Sequence, residues 1–157
     1  MTRVSIYLRE GRVYLPTLAI SRDGVITMHD PVLVIPVTEP DRVALAVATA
    51  ISEPLAQVDL ISPSVLDRKP GVLAQAAKVR SWAAFARPAQ LWVLRHRDGH
   101  LALMSAHHAY NLAFQEDPEP VRTWPKGADT ATVGTEAVRL ILDALHATVP
   151  RPLDRAT

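Results

Sequence analysis

The chain has 157 residues, no cysteine and a formal net charge of +1. This length suits one domain with its own hydrophobic core, and the lack of cysteine excludes a disulfide framework and thiolate catalysis. The near-neutral charge argues against strong nucleic-acid binding. No apolar run approaches the length that spans a bilayer and the N-terminus lacks the pattern of a signal peptide, so we expect a cytoplasmic protein without a membrane partner.

The first β-hairpin is predicted by alternation and by one turn. Apolar and polar residues alternate from the N-terminus up to Glu10-Gly11, which suits a two-residue turn between strands. With this turn, Leu8 opposes Val13 on one face of the sheet and Tyr7 opposes Tyr14 on the other.

A second turn and a proline-bounded run complete the first β-meander. Asp23-Gly24 separates residues 17–21 from residues 25–29. Asp30-Pro31 then breaks the chain before a continuous apolar run over residues 32–37. Because proline has no N–H to donate to a ladder, Pro31 and Pro36 confine the run to a sheet edge or to a strand with pairing on limited sides.

Helices follow the first meander. The first is predicted from Thr38, which caps its N-terminus, to Pro54, which ends it. Its apolar residues recur every four positions and would face the sheet: Val43, Val47 and Ile51. Residues 55–70 are compatible with either a helical turn or a short strand. Residues 71–79 predict a second helix, and residues 81–85 predict one capped helical turn.

The second β-meander contains the strongest local signal in the chain. Arg97-Asp98-Gly99-His100 lies between two alternating apolar runs, and Asp-Gly suits a type I′ turn because both of its central residues need positive φ. This turn pairs Arg97 with His100 and His96 with Leu101. Strands are therefore predicted over residues 90–96 and 100–105.

A third strand is predicted over residues 108–114, and Thr135 is predicted to cap a last helix. That helix has an apolar stripe at helical spacing: Val138, Ile141, Leu142 and Leu145. Two β-meanders separated by helices and closed by a final helix predict an α+β domain over residues 1–150. We expect a mainly antiparallel sheet with helices packed on one face, and a frayed tail over residues 151–157.

Four histidines lie within thirteen residues: His96, His100, His107 and His108. Imidazole is a common metal ligand and general base, so one alternative function is a metal-dependent or histidine-based hydrolase that uses the His96–His108 region. The hairpin register directs His96 and His100 to opposite faces of the sheet, and the adjacent His107 and His108 diverge in an extended segment. We therefore predict no metal site, no cofactor and no catalytic residue.

Charged residues are unevenly distributed. Residues 68–97 carry seven basic residues and no acidic one, which leaves weak nucleic-acid binding as a further alternative function. The proline-rich loop over residues 115–120 holds three carboxylates: Glu116, Asp117 and Glu119. Because an acidic loop complements a basic surface, we predict that these three residues bind a protein partner.

Three segments carry a resemblance to a known class of proteins: residues 11–17 (Gly-Arg-Val-Tyr-Leu-Pro-Thr), residues 78–85 (Lys-Val-Arg-Ser-Trp-Ala-Ala-Phe) and the Arg97–His100 hairpin. The chain resembles bacterial immunity proteins of contact-dependent growth inhibition and related polymorphic toxin systems. The resemblance implies a cytoplasmic, non-enzymatic protein that binds one cognate toxin domain and blocks its active site. The oligomeric state, the partner and the strand order stay open at this point.

Overall fold

The computed structural model describes residues 1–59 and 71–148, and their strands form one sheet. The strands are β1 (Arg3–Arg9), β2 (Arg12–Ser21), β3 (Ile26–Pro36), β4 (Ala56–Val58), β5 (Gln90–Arg97), β6 (His100–His108), β7 (Phe114–Glu116) and β8 (Arg122–Trp124). The helices are α1 (Pro40–Ser52), α2 (Val72–Ala76), α3 (Trp82–Ala86) and α4 (Thr130–Thr148). The sheet order is β3-β2-β1-β5-β6-β7, with β4 beside β2 and β8 beside β6. Every strand pair except the parallel β2–β4 pair is antiparallel, so the predicted α+β class is confirmed.

Both predicted two-residue hairpins are confirmed. Glu10 and Gly11 have φ values of 49° and 76°, and Asp98 and Gly99 have φ values of 51° and 78°. The first turn places Leu8 opposite Val13 and Tyr7 opposite Tyr14. The second places Arg97 opposite His100 and continues in register to Trp92 opposite Ser105. Positive φ at both central residues is what a type I′ turn requires.

The proline-bounded run lies at the edge of the sheet, as predicted, because β3 ends the strand order. Asp30-Pro31 interrupts the pairing with β2, since neither residue has a partner there, but it does not end the strand: β3 pairs with β2 on both sides of it. The register shifts between Pro16 and Thr17, so that two extra residues of β3 are accommodated as an irregularity of the pairing.

Helices lie on both faces of the sheet, which corrects the expectation of a single helical layer. The long helices α1 and α4 pack on the face that carries Leu8 and Val13. The short helices α2 and α3 pack on the opposite face, which carries Tyr7 and Tyr14. The reason is that the tyrosine face is apolar too, and Phe85 of α3 lies 5.8 Å from the Tyr7 ring and 5.3 Å from the Tyr14 ring.

Two predicted helix caps are wrong. The cap of α1 is Glu39 rather than Thr38, and Pro40 takes the first helical position. The helix α4 begins at Thr130, five residues before the predicted cap at Thr135. The carboxylate of Asp129 accepts a hydrogen bond from the Thr132 N–H at 3.1 Å, so a stronger capping residue lies upstream of the one the pattern indicated.

The third strand of the second meander is also displaced from its predicted position. The strand β6 continues to His108, and residues 109–113 form a turn in place of the predicted strand over residues 108–114. The strand β7 begins only at Phe114. Of the segment left open at residues 55–70, Ala56–Val58 is a strand and residues 60–70 lie outside the described residues, as does the predicted tail at 151–157.

No helix within the described ranges has the length and apolar character needed to cross a membrane.

Candidate functional site

The predicted acidic loop lies along the outer side of β6, at the second edge of the sheet, where β7 and β8 pair with β6. Glu116 ends β7 and pairs with Ala106 of β6. We call residues 117–121 the outer loop; they lead from β7 to β8, which also pairs with β6. The Asp117 N–H donates to the Ser105 carbonyl at 2.8 Å, and the Val121 N–H donates to the Leu103 carbonyl at 2.8 Å. Both ends of the outer loop are therefore bonded to the same strand.

The Glu116 carboxylate is engaged within the molecule. The Arg95 Nε donates to its two oxygens at 3.0 and 3.2 Å, and an Arg3 nitrogen lies 4.0 Å from one of them. The side chains of Arg95 and Glu116 are 28% and 26% exposed. Arg3 and Arg95 are direct cross-strand neighbours, so Glu116 relieves the repulsion between two like charges.

Asp117 is held by two side chains of β6. The Ser105 hydroxyl donates to Oδ2 at 2.6 Å, and His107 Nδ1 lies 2.6 Å from Oδ1. Hydrogen bonds from Ser105 and from His107 lower the pKa of Asp117 from its ordinary value because they stabilise the carboxylate. A serine nucleophile needs a hydrogen bond to the histidine that acts as its general base. Here Ser105 and His107 are each bonded to Asp117, so the arrangement differs from that pair.

Glu119 is the exposed carboxylate of the outer loop. Within the described residues it makes no hydrogen bond and no ion pair. The preceding Pro118 carbonyl accepts a hydrogen bond from Arg97 Nη1 at 2.8 Å. Of the three predicted partner-binding residues, two thus lie in intramolecular contacts and Glu119 points its charge at solvent. The contacts with Glu116 and with the Pro118 carbonyl involve Arg95 and Arg97, two of the seven basic residues within residues 68–97.

The four clustered histidines have separate surroundings. His96 and His100 lie on opposite faces of the hairpin, as the pairing register requires. His107 contacts Asp117, whereas His108 Nε2 lies 2.7 Å from the Ala86 carbonyl. Within the described part of the chain, no group of three or more His, Asp or Glu side chains is arranged to hold a metal ion.

One exposed aromatic residue on this edge was not identified from the sequence. Tyr110 is fully exposed at the tip of the turn between β6 and β7. The turn is closed by a 2.7 Å hydrogen bond from the Ala109 N–H to the Ala113 carbonyl, and the Trp82 indole donates to the Leu112 carbonyl at 3.3 Å. Leu112 has a φ of 63°, which is unusual for this residue type. The interrupted alternation at Tyr110-Asn111 was the available signal for a turn.

No protein-family model and no curated protein matches this chain. A solved structure of a protein of unknown function from Neisseria meningitidis has a similar fold, with a TM-score of 0.58 and 14% sequence identity. The similarity covers 91% of this chain and 94% of that chain. At this identity the likeness concerns the fold alone.

Proposed function

We propose that this protein is a non-enzymatic binding module, an immunity protein of the contact-dependent growth inhibition type, which neutralises a cognate toxin domain in the cytoplasm. The observation that carries the proposal is the exposed Glu119 carboxylate on an outer loop whose two ends are bonded to β6. A loop that is already ordered loses little conformational entropy when a partner binds. The resemblance of the chain to immunity proteins supplies the class of partner.

The chemistry of the edge favours a partner with a basic cleft. Glu119 contributes an exposed negative charge, and charge complementarity of this kind mainly accelerates the encounter between two proteins. In this proposal Glu116 and Asp117 act differently: they hold the shape of the outer loop through Arg95, Ser105 and His107. All three predicted residues take part, but of these three only Glu119 touches the partner directly.

Tyr110 supplies the apolar part of the proposed interface. Tyrosine is enriched among residues that dominate binding energy, because its ring offers a large contact area at low entropic cost. The turn that carries it is anchored by the Trp82 indole. A rigid turn with a fully exposed tyrosine suits a pocket on a partner surface.

The test is co-expression of the protein with the toxin-like domains encoded by neighbouring genes, followed by purification and association kinetics. We expect a stoichiometric complex. At low salt, Glu119→Gln should reduce the association rate by about threefold, and Tyr110→Ala should raise the dissociation rate by at least about tenfold. Asp143→Asn, which neutralises an exposed acid on α4, is the matched control and should change neither rate.

Two results would contradict the proposal. One is that no complex forms with any of these domains. The other is catalytic turnover by the purified protein alone, which would favour the hydrolase alternative.

A further inference from the structure

The helix α1 presents a partly exposed stripe beside the other edge of the sheet, in which Ala46 and Ala50 also pack against the core. Five residues of α1 at helical spacing form this stripe, and the C-cap residue extends it: Arg42, Leu45, Ala46, Thr49, Ala50 and then Glu53. Together with Leu33 of β3 they line a cleft of about 620 Å³ between α1 and the sheet. Leu45 is 70% exposed and Leu33 is 48% exposed. Two large apolar side chains on one surface are the kind of feature that marks an interface.

The stripe is complementary to the same stripe of a second copy that runs in the opposite direction. In a two-fold antiparallel pair of α1 helices, positions equidistant from the middle of the stripe meet across the axis. Arg42 then meets Glu53 of the second copy and Ala46 meets Thr49, while Leu45 lies on one flank of the contact, beside Leu45 of the second copy. Opposite charges thus lie at both ends, and the two exposed leucine side chains lie on the same flank of the contact. Small residues at the remaining positions allow the two helices to approach closely.

The charges at the ends of the stripe favour a second copy as the occupant. The Glu53 carboxylate makes no ion pair within residues 1–59 and 71–148. Arg42 contacts Glu39 of its own helix at 3.0 Å, yet its side chain is still 62% exposed. A second copy supplies a guanidinium for each Glu53 and a further carboxylate for each Arg42, so that two identical contacts form.

The edge position of β3 places Leu33 beside the α1 stripe, on a surface that a second copy can reach. Residue 36 of β3 pairs with Arg12, while residue 56, just after α1, pairs with Ala19 near the far end of β2. The helix therefore runs back along β3, and Leu33 lies alongside the middle of the helix. Because Pro31 and Pro36 lack N–H groups, β3 is poorly suited to a continuous hydrogen-bonded ladder with another strand. The contact would be made by side chains.

From these observations we propose that the protein forms a two-fold symmetric dimer through the α1 stripe and Leu33. This interface is independent of the proposed function. It lies at the β3 edge, whereas the outer loop lies at the β6 edge, with β2, β1 and β5 between them. A dimer would therefore leave both outer loops open to partners.

Sedimentation velocity over a range of protein concentrations tests the proposal. We expect a species of twice the 17.2 kDa chain mass at high concentration. Leu45→Asp should raise the dimer dissociation constant by at least about tenfold. Val121→Asp, which places the same charge at a 45% exposed apolar residue on the other edge, should leave it unchanged.

A charge exchange gives a sharper result. Arg42→Glu and Glu53→Arg should each weaken the dimer, because like charges then meet across the axis. The double variant should restore the dimer, because a glutamate at position 42 then meets an arginine at position 53 of the second copy. Circular dichroism establishes that each variant is folded. A monomer at all concentrations, or a dimer that Leu45→Asp does not weaken, would overturn the proposal.

Cross-linking tests the register. The chain has no native cysteine, so a mixture of Ala46→Cys and Thr49→Cys proteins should form a disulfide-linked heterodimer under mild oxidation. Replacing the second protein by Ala147→Cys, exposed on α4, provides the control. Equal yields from both mixtures would refute the antiparallel register of α1.

Discussion

Gly134 lies at a close approach of the two long helices, and its replacement tests the packing of α1 on α4. A Cβ atom at this position would lie 2.7 Å from the Ala44 carbonyl oxygen, 3.2 Å from the Ala48 Cβ and 3.3 Å from the Ala48 nitrogen. The nearest contact is backbone, so no side-chain rotation can relieve it. Gly134→Ala therefore requires the two helices to move apart.

Two opposing terms set the size of the effect. Inserting a methyl group into a packed interface costs about 1–3 kcal/mol. Alanine has a higher helix propensity than glycine, which returns up to about 1 kcal/mol. We expect a net loss of about 1–2 kcal/mol in the free energy of unfolding, and a decrease in Tm of about 2–8 °C for a chain of this size.

Urea and thermal unfolding followed by circular dichroism measure this change. The matched control is Gly71→Ala, because Gly71 has a φ of −65° and a Cβ there meets no atom within 4 Å. We expect the control to change stability by no more than about 0.5 kcal/mol. If Gly134→Ala instead stabilises the protein as an open helical position would, the close approach of α1 and α4 is refuted.

Two further predictions concern Arg9 and Asp117. Arg9 is 9% exposed and donates to the Phe85 and Ala84 carbonyls at 3.2 and 3.4 Å. Arg9→Met should therefore lower the free energy of unfolding, measured in urea, by about 1–3 kcal/mol. The control Arg12→Met, at the exposed position opposite Arg9, should have little effect, and equal losses in the two variants would contradict this role of Arg9. Because the pKa of Asp117 is lowered in the folded protein, its contribution to stability is present above the unfolded pKa of about 3.9 and is lost as the pH falls through the lower folded value. The chemical shifts of Ser105, whose hydroxyl donates to this carboxylate, should therefore report an acid transition below about pH 4 in the wild type, and the same transition at Ser105 in Asp117→Asn would contradict the assignment.

The sequence by itself determined the two tight hairpins. Glu10-Gly11 and Asp98-Gly99 form turns in which both central residues have positive φ, and this requirement is met by residues adjacent in the chain. Once each turn is placed, period-two alternation sets the register of the flanking strands. Local information also separated His96 from His100 and predicted the edge position of the run after Pro31.

The tertiary structure alone decided which charges of the acidic loop are available. Arg95 reaches Glu116 and Ser105 reaches Asp117 across the strands, so those carboxylates are engaged while Glu119 is exposed. Such contacts depend on which strands become neighbours in the sheet, and the composition of the loop does not predict that order. The same reason explains why α3 packs on the tyrosine face: both faces of the first hairpin are apolar, and only the assembled sheet shows which helix covers which face.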